Sequence, residues 1–183
     1  MRCLQIFCLL CGLLGFAGQS LADQSDARLN DLFAQLKVSE GIEAISAEQQ
    51  IWAIWLETPD EKVKPLLEAG IDRMNSGNNP EALKTFDRIV EIAPDFAEGW
   101  NKRATLHYLL GNFDASLADI EKTLALEPRH FGALSGRGLV YAKLEDLEKA
   151  LVAFEAALEV HPNMAGAKMN ALMIRKVLKG REI

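Results

Sequence analysis

Cysteine is scarce in this chain, and its three residues, Cys3, Cys8 and Cys11, all lie in the first eleven positions. Zinc ribbons, disulfide scaffolds and cysteine nucleophiles need thiols that the rest of the sequence lacks. Long apolar runs are also missing, because the only extended one has about 15 residues and a bilayer span needs about 20. Recognisable catalytic, cofactor and metal-ligand motifs are absent as well. The sequence therefore predicts a protein that is not an enzyme and that holds no cofactor or metal.

The first 22 residues differ from the remainder in composition. Arg2 is their only charge, an apolar run extends from Cys3 to Ala17, and Ser20-Leu21-Ala22 precedes Asp23. A basic start, a short apolar core and a small-x-small end are typical of a secretory signal peptide. We therefore expect residues 1–22 to be a cleaved signal. Retention of this segment as a membrane anchor is the alternative.

Positive charge is the minority sign. The chain has 20 Lys and Arg residues against 26 Asp and Glu residues, a net charge of −6. Without Arg2, 19 basic residues face 26 acidic ones, so the remaining chain carries −7. An exported acidic protein is poorly suited to a polyphosphate partner, and we expect no binding to nucleic acid.

Proline marks an internal repeat. Pro94, Pro128 and Pro162 are separated by 34 residues each time, and the chain aligns with itself as units 63–96, 97–130 and 131–164 without gaps. Each unit contains two apolar blocks with helical period around a short polar turn. The spacing predicts three helix–turn–helix units.

Four positions of the unit have the same character in all three copies. They are position 4 (Leu66, Trp100, Leu134), position 8 (Gly70, Ala104, Gly138), position 20 (Ala82, Ser116, Ala150) and position 24 (Phe86, Ile120, Phe154). With proline at position 32, this pattern resembles the tetratricopeptide repeat (TPR). The resemblance implies an all-α TPR solenoid, in which helix pairs stack and small residues stand where helix axes approach.

The flanking segments also show helical spacing. Residues 23–62 place Leu32, Leu36 and Trp52 at positions 4, 8 and 24 of the same frame, so we expect a degenerate opening repeat that caps the stack. Residues 165–183 resemble the closing helix and tail of a TPR array. The whole chain then has about nine helices and no strands.

TPR arrays bind partner proteins in a concave groove lined by the first helix of each unit. A helical projection puts positions 2, 5, 9, 12 and 13 on the side opposite the packed face. The resulting candidate groove residues are Lys64, Leu67, Ile71 and Met74 in the first unit, Glu98, Asn101, Thr105, Tyr108 and Leu109 in the second, Ser135, Leu139 and Lys143 in the third, and Met169 and Met173 on the closing helix. Their apolar members favour a binding strip for a peptide or helix. The alternative is that the opening helices cover the groove and these residues are core.

One class of TPR ligand fits this groove poorly. TPR co-chaperones that hold the carboxy-terminal tail of a cytosolic chaperone use basic and Asn residues as a carboxylate clamp. Leu67, Ile71, Gly132 and Gly136 occupy most of the corresponding sites here. We therefore do not expect that ligand.

Two sets of polar residues remain. Arg103 and Arg137 stand at position 7, usually an apolar position, and Asp119 lies within reach of both. We expect an Arg103–Asp119–Arg137 staple between repeats, with an anion site for a partner's carboxylate as the alternative. His130 and His161 lie at repeat ends, where we expect surface positions without a ligand role.

Segments 49–57, 97–106 and 127–136 resemble small periplasmic TPR proteins of alphaproteobacteria. That resemblance implies a periplasmic adaptor that supports cell-envelope integrity by binding a partner protein. An accessory or regulatory subunit of an envelope or cell-wall enzyme is the alternative function. We expect no membrane association after cleavage, although the basic cluster Lys168, Arg175, Lys176, Lys179 and Arg181 offers a peripheral contact. The sequence does not determine the oligomeric state.

Overall fold

The computed structural model describes residues 24–58 and 60–181, and within these ranges the chain forms nine helices and no strands. The helices are α1 (Arg28–Val38), α2 (Gly41–Leu56), α3 (Val63–Asn75), α4 (Asn79–Ile92), α5 (Ala97–Leu109), α6 (Phe113–Leu126), α7 (Phe131–Lys143), α8 (Leu147–Val160) and α9 (Ala165–Arg181). The all-helical expectation is confirmed for this part of the chain. None of these helices is both long and apolar enough to cross a membrane. The predicted signal at 1–22 and the side chain of Arg181 lie outside the described residues.

The three 34-residue units each form a helical hairpin, with α3, α5 and α7 as first helices and α4, α6 and α8 as second helices. A residue in the left-handed region ends the first helix at position 15 of every unit. It is Gly77 at φ 77°, Gly111 at φ 77° and Glu145 at φ 62°. Glycine takes this conformation at no steric cost, whereas Glu145 adopts it with a side chain.

The two helices of a hairpin touch where position 8 meets position 24. A Cβ added at Gly70 would lie 2.6 Å from Cε1 of Phe86, and one added at Gly138 would lie 2.8 Å from three ring carbons of Phe154. The middle unit has Ala104 and Ile120 at these positions. Glycine on the first helix thus packs against a phenylalanine ring on the second, and alanine packs against the smaller isoleucine side chain.

The hairpins stack in chain order, and α9 covers the last of them. α4 packs on α5, α6 packs on α7, and α8 packs on α9. Ala167, Ala171 and Ile174 of α9 belong to the same buried cluster as Phe154 of α8. The expected closing helix is therefore in place.

The α1–α2 hairpin and residues 24–27, which we call the clasp, run along one edge of this stack. The clasp meets the residue at position 33 of each unit, in the loop that leads to the next helix. Three side-chain hydrogen bonds make these contacts: Gln24 Nε2 to the Asp95 carbonyl (2.6 Å), Arg129 Nη1 to Asn30 Oδ1 (2.9 Å) and Asn163 Nδ2 to the Ser39 carbonyl (2.8 Å). Residues 24–39, which comprise α1 and its two flanking ends, therefore contact the same loop position in three consecutive units.

The second clasp helix returns over the beginnings of the first helices. Trp52 lies edge-on to Phe131 of α7 with ring centroids 5.3 Å apart, and Trp55 stacks on His130 at 4.0 Å. The main packing partners of the clasp are α5, α7 and α8. The expectation that residues 23–62 cap the end of the stack is therefore wrong, because the clasp spans the repeats along their loop edge.

Candidate binding cleft

A cleft of about 250 Å³ opens between the first helices of the second and third units. Its rim includes Thr105 and Tyr108 of α5 and Leu139 of α7, and its inner surface includes Ile120 of α6. The complete lining is Asn101, Ala104, Thr105, Tyr108, Ser116, Ile120, Gly132, Ala133, Ser135, Gly136, Leu139 and Met164. The cleft therefore lies on the groove side of the stack.

Small residues on α7 keep this cleft open. A Cβ added at Gly136 would meet only Cδ1 of Ile120, at an ordinary contact distance of 3.8 Å. Gly132, one turn earlier, has its Cβ direction filled by Trp52 of the clasp, 2.6 Å away. The clasp thus closes the loop end of the groove and leaves the part around Gly136 accessible.

The lining of the cleft is neutral. None of its twelve residues carries a charge, and two of its four hydroxyl groups donate to backbone carbonyls within the protein. Ser116 donates to the carbonyl of Ala104 (2.8 Å), and Thr105 donates to the carbonyl of Asn101 (2.9 Å). Such a surface suits an apolar side chain with a few neutral polar groups around it.

The structure brings together five of the predicted groove residues and separates the others. Asn101, Thr105, Tyr108, Ser135 and Leu139 line the cleft. Lys64, Leu109, Lys143, Met169 and Met173 are exposed elsewhere. Ile71 and Met74 are partly buried against the core of the first unit.

Leu67 and Glu98 are wrongly predicted as groove residues. Leu67 is buried in the same cluster as Leu106 of α5, because neighbouring first helices pack side by side. Glu98 is buried beneath the clasp. The helical projection treats each helix as isolated, and for that reason it also misses Ser116 and Ile120, which the second helix contributes to the cleft floor.

Glu98 is the centre of a buried polar cluster at the clasp. It accepts hydrogen bonds from Asn101 (2.9 Å) and His130 (3.0 Å) and pairs with Lys102 at 2.8 Å. The backbone N–H of Ala133 donates to Nδ1 of His130, so Nε2 carries the proton that faces Glu98. Burial opposes ionisation of Glu98, but Lys102 and His130 outweigh it and hold the pKa of this carboxyl below its ordinary 4.5.

The expectation that His130 and His161 are surface residues is wrong. Both are buried. His130 caps the N-terminus of α7 and stacks on Trp55, and His161 lies 3.2 Å from Glu48 of α2. The clasp covers both rings, which a single-repeat view of the sequence could not anticipate.

The Arg103 cluster is only partly as expected. Arg103 forms a bidentate pair with Asp119, with both distances 2.8 Å, and also contacts Asp87 of the preceding unit at 2.8 Å. Arg137 does not join this pair and instead lies 3.4 Å from Glu121. The predicted triad is therefore wrong for Arg137, and the inter-repeat staple is Asp87–Arg103–Asp119.

Stacked helical hairpins of 34 residues with a groove on one side define a helical-repeat protein. Two tetratricopeptide-repeat family models match residues 67–119 and 132–164. A TPR repeat-containing protein of Rhizobium etli is 34% identical over 154 residues, which are 84% of this chain and 76% of that protein. The chain therefore belongs to the tetratricopeptide repeat family.

Three other similar proteins match between 52% and 68% of this chain. The Hsp70-Hsp90 organizing protein of Triticum aestivum is 28% identical over 96 residues, which are 52% of this chain and 16% of that protein. The first TPR of Spaghetti (RPAP3), solved bound to the HSP90 peptide SRMEEVD, superposes with a TM-score of 0.63 at 26% identity and covers 65% of this chain and 94% of that one. The Sgt2 TPR domain of Aspergillus fumigatus has a TM-score of 0.64 at 20% identity and covers 68% of this chain and 83% of that one, a likeness of fold. TPR domains of this shape bind protein segments, and the repeat is typically a non-catalytic interaction scaffold.

Proposed function

We propose that this protein is an exported, non-enzymatic adaptor that binds a partner protein in the cleft between α5 and α7. The observation that carries the proposal is the neutral opening around Gly136, lined by Tyr108 and Leu139. A structural relative holds a peptide on the same type of scaffold. Protein binding is accordingly the activity that this fold supports best.

The cleft chemistry narrows the kind of segment that fits. A terminal carboxylate needs a cationic partner, and no lysine or arginine lines the cleft. An apolar side chain can instead enter between Tyr108 and Leu139 and contact Ile120 below them. We infer that the partner presents an apolar anchor from a helix or an extended strand.

Export to the periplasm and a role in envelope integrity form the cellular part of the proposal. They rest on the signal-like residues 1–22 and on the resemblance of the repeat segments to small periplasmic TPR proteins. Cell fractionation of the tagged full chain, with the intact mass of the recovered protein, tests export directly. Recovery only in the cytoplasm at full length would refute this part and leave the cleft proposal standing.

The cleft itself is tested by a photo-cross-linking amino acid placed at Tyr108. We expect one dominant adduct with a partner protein, and we expect Leu139→Asp to abolish it. Leu109→Asp is the matched control, because Leu109 is more exposed (58% against 36%) yet does not line the cleft. An adduct that survives Leu139→Asp would refute the cleft as the binding site.

A further inference from the structure

The exposed apolar side chains of the described residues concentrate at one end of the molecule. Seven of the thirteen large ones belong to the clasp tip and to α9. They are Val38, Ile42 and Ile45 on the tip, and Met169, Leu172, Met173 and Val177 on α9. The tip residues Val38 and Ile42 are 83% and 82% exposed, and the four on α9 are between 47% and 63% exposed.

These two apolar sets adjoin each other in space. Asn163, just before α9, donates to the carbonyl of Ser39 in the turn of the clasp at 2.8 Å. Ile45 of the clasp and Lys168 of α9 line the same shallow depression. The end of the molecule therefore carries a two-part apolar surface.

The two parts have opposite charge. Residues 38–50 contain Glu40, Glu43 and Glu48 and no Lys or Arg, whereas residues 165–181 contain five Lys and Arg residues and no Asp or Glu. Among the described residues, Glu40, Glu43, Lys176 and Lys179 form no ion pair within 4.0 Å. These charges are therefore available to a partner.

We propose that this end is a homodimer interface in which α9 of one copy packs on the clasp tip of the other, twice, about a two-fold axis. A two-fold contact requires a surface that complements itself. Pairing α9 with α9 would bring basic helices together, and pairing tip with tip would bring acidic turns together. Among two-fold arrangements, only the crossed one joins apolar to apolar and basic to acidic, and it closes after two copies.

The surface is large enough for a small specific interface. α9 has 17 residues and is about 25 Å long, so two such helices and two tips give an interface near the small end of the stable range, about 1,200 Å² in total. We therefore expect a reversible dimer whose midpoint falls between about 1 and 100 µM.

Sedimentation velocity of the protein produced from its full sequence, between about 1 and 100 µM, tests the proposal. We expect a monomer–dimer equilibrium that Ile42→Asp and Met173→Asp each weaken at least about tenfold. Val152→Asp is the matched control, because Val152 is 64% exposed on α8 and belongs to neither set. All three sites are exposed, so unfolding melts should remain close to that of the unchanged protein.

A charge exchange then tests the crossed arrangement. Glu43→Lys and Lys176→Glu should each weaken dimerisation, and the double variant, which restores the net charge, should recover it. A monomer at 100 µM, association unaffected by Ile42→Asp and Met173→Asp, or growth beyond dimers would each overturn the proposal. Binding of the monomer to vesicles of anionic lipid that Met173→Asp abolishes, without dimers, would assign the surface to a membrane instead.

Discussion

Two glycines of α7 offer a direct test of how closely the third hairpin packs. Gly138 faces Phe154, and an added Cβ would lie 2.8 Å from three of its ring carbons. Gly136, two residues earlier, would place its Cβ 3.8 Å from a single atom of Ile120. Alanine is therefore expected to have opposite effects at these two positions of the same helix.

The magnitudes follow from helix propensity and packing. Replacing glycine by alanine inside a helix stabilises it by about 1 kcal/mol, which is the full effect we expect at Gly136. At Gly138 the same gain is opposed by overpacking, which costs about 1–3 kcal/mol, and the upper part applies because Phe154 is fully buried. Gly138→Ala should therefore lower the free energy of unfolding by about 1–2 kcal/mol.

Thermal unfolding followed by circular dichroism measures the difference. For a chain of this size, about 2–3 kcal/mol between the two variants corresponds to about 5–10 °C in Tm. The middle hairpin has Ala104 opposite Ile120, so Phe154→Ile should rescue Gly138→Ala in a double-mutant cycle with a coupling of about 1 kcal/mol or more. If Gly138→Ala melted at or above Gly136→Ala, the close contact with Phe154 would be refuted.

Three further substitutions test the clasp and the polar clusters. Trp55→Ala should cost about 3–5 kcal/mol and should remove hydrogen-exchange protection from α1 and α2 first. Trp100→Ala should cost less, about 1–2 kcal/mol, because the ring is partly exposed and loses one hydrogen bond to the Pro94 carbonyl and one contact with Arg103. Equal losses would contradict the clasp packing. Folding lowers the pKa of Glu98, so its carboxylate stabilises the fold above pH 4.5, and this contribution is lost as the pH falls through the folded-state pKa. Glu98→Gln should therefore make the free energy of unfolding depend less on pH below pH 4.5. An unchanged pH dependence in that range would contradict the lowered pKa. Asp119→Ala should cost about 2–3 kcal/mol in denaturant unfolding and Arg137→Ala less than about 1 kcal/mol, and the reverse order would restore the triad.

Much of the fold was predictable because the same 34-residue pattern occurs three times in the sequence. Position 8 is Gly70, Ala104 and Gly138, and the structure shows what the small side chain accomplishes at the first and third, where a Cβ would enter a phenylalanine ring. Each unit therefore checks independently the assignment of residues to positions 1–34. The six helices of the three units and their order follow from that assignment, whereas the closing helix was predicted from the helical spacing of residues 165–183.

The binding surface was predictable only in part, because it belongs to no single helix. Position 5 illustrates the reason: Leu67, Asn101 and Ser135 all project away from the packed face of their own hairpin, yet all three are buried. Neighbouring first helices lie side by side, so this direction points mainly at the next helix, and Asn101 and Ser135 border only the inner part of the cleft between them. Only residues at later positions of the first helix, such as Tyr108 at position 12 and Leu139 at position 9, reach the cleft rim.

Residues 23–62 were wrongly predicted to cap the stack as a degenerate repeat, although two positions of their sequence argue against a repeat. Apolar residues at helical spacing fit any amphipathic helix, so the match of Leu32 and Trp52 to the frame carried little weight. The discriminating positions are 8 and 20, where the two helices of a repeat approach each other closely, and they hold Leu36 and Glu48. A helix pair with bulky residues at both points cannot pack together as a repeat hairpin does, whereas the buried Ala44 and Ala47 of α2 form a different close face. The small positions of a repeat are therefore better evidence for a repeat hairpin than its large ones.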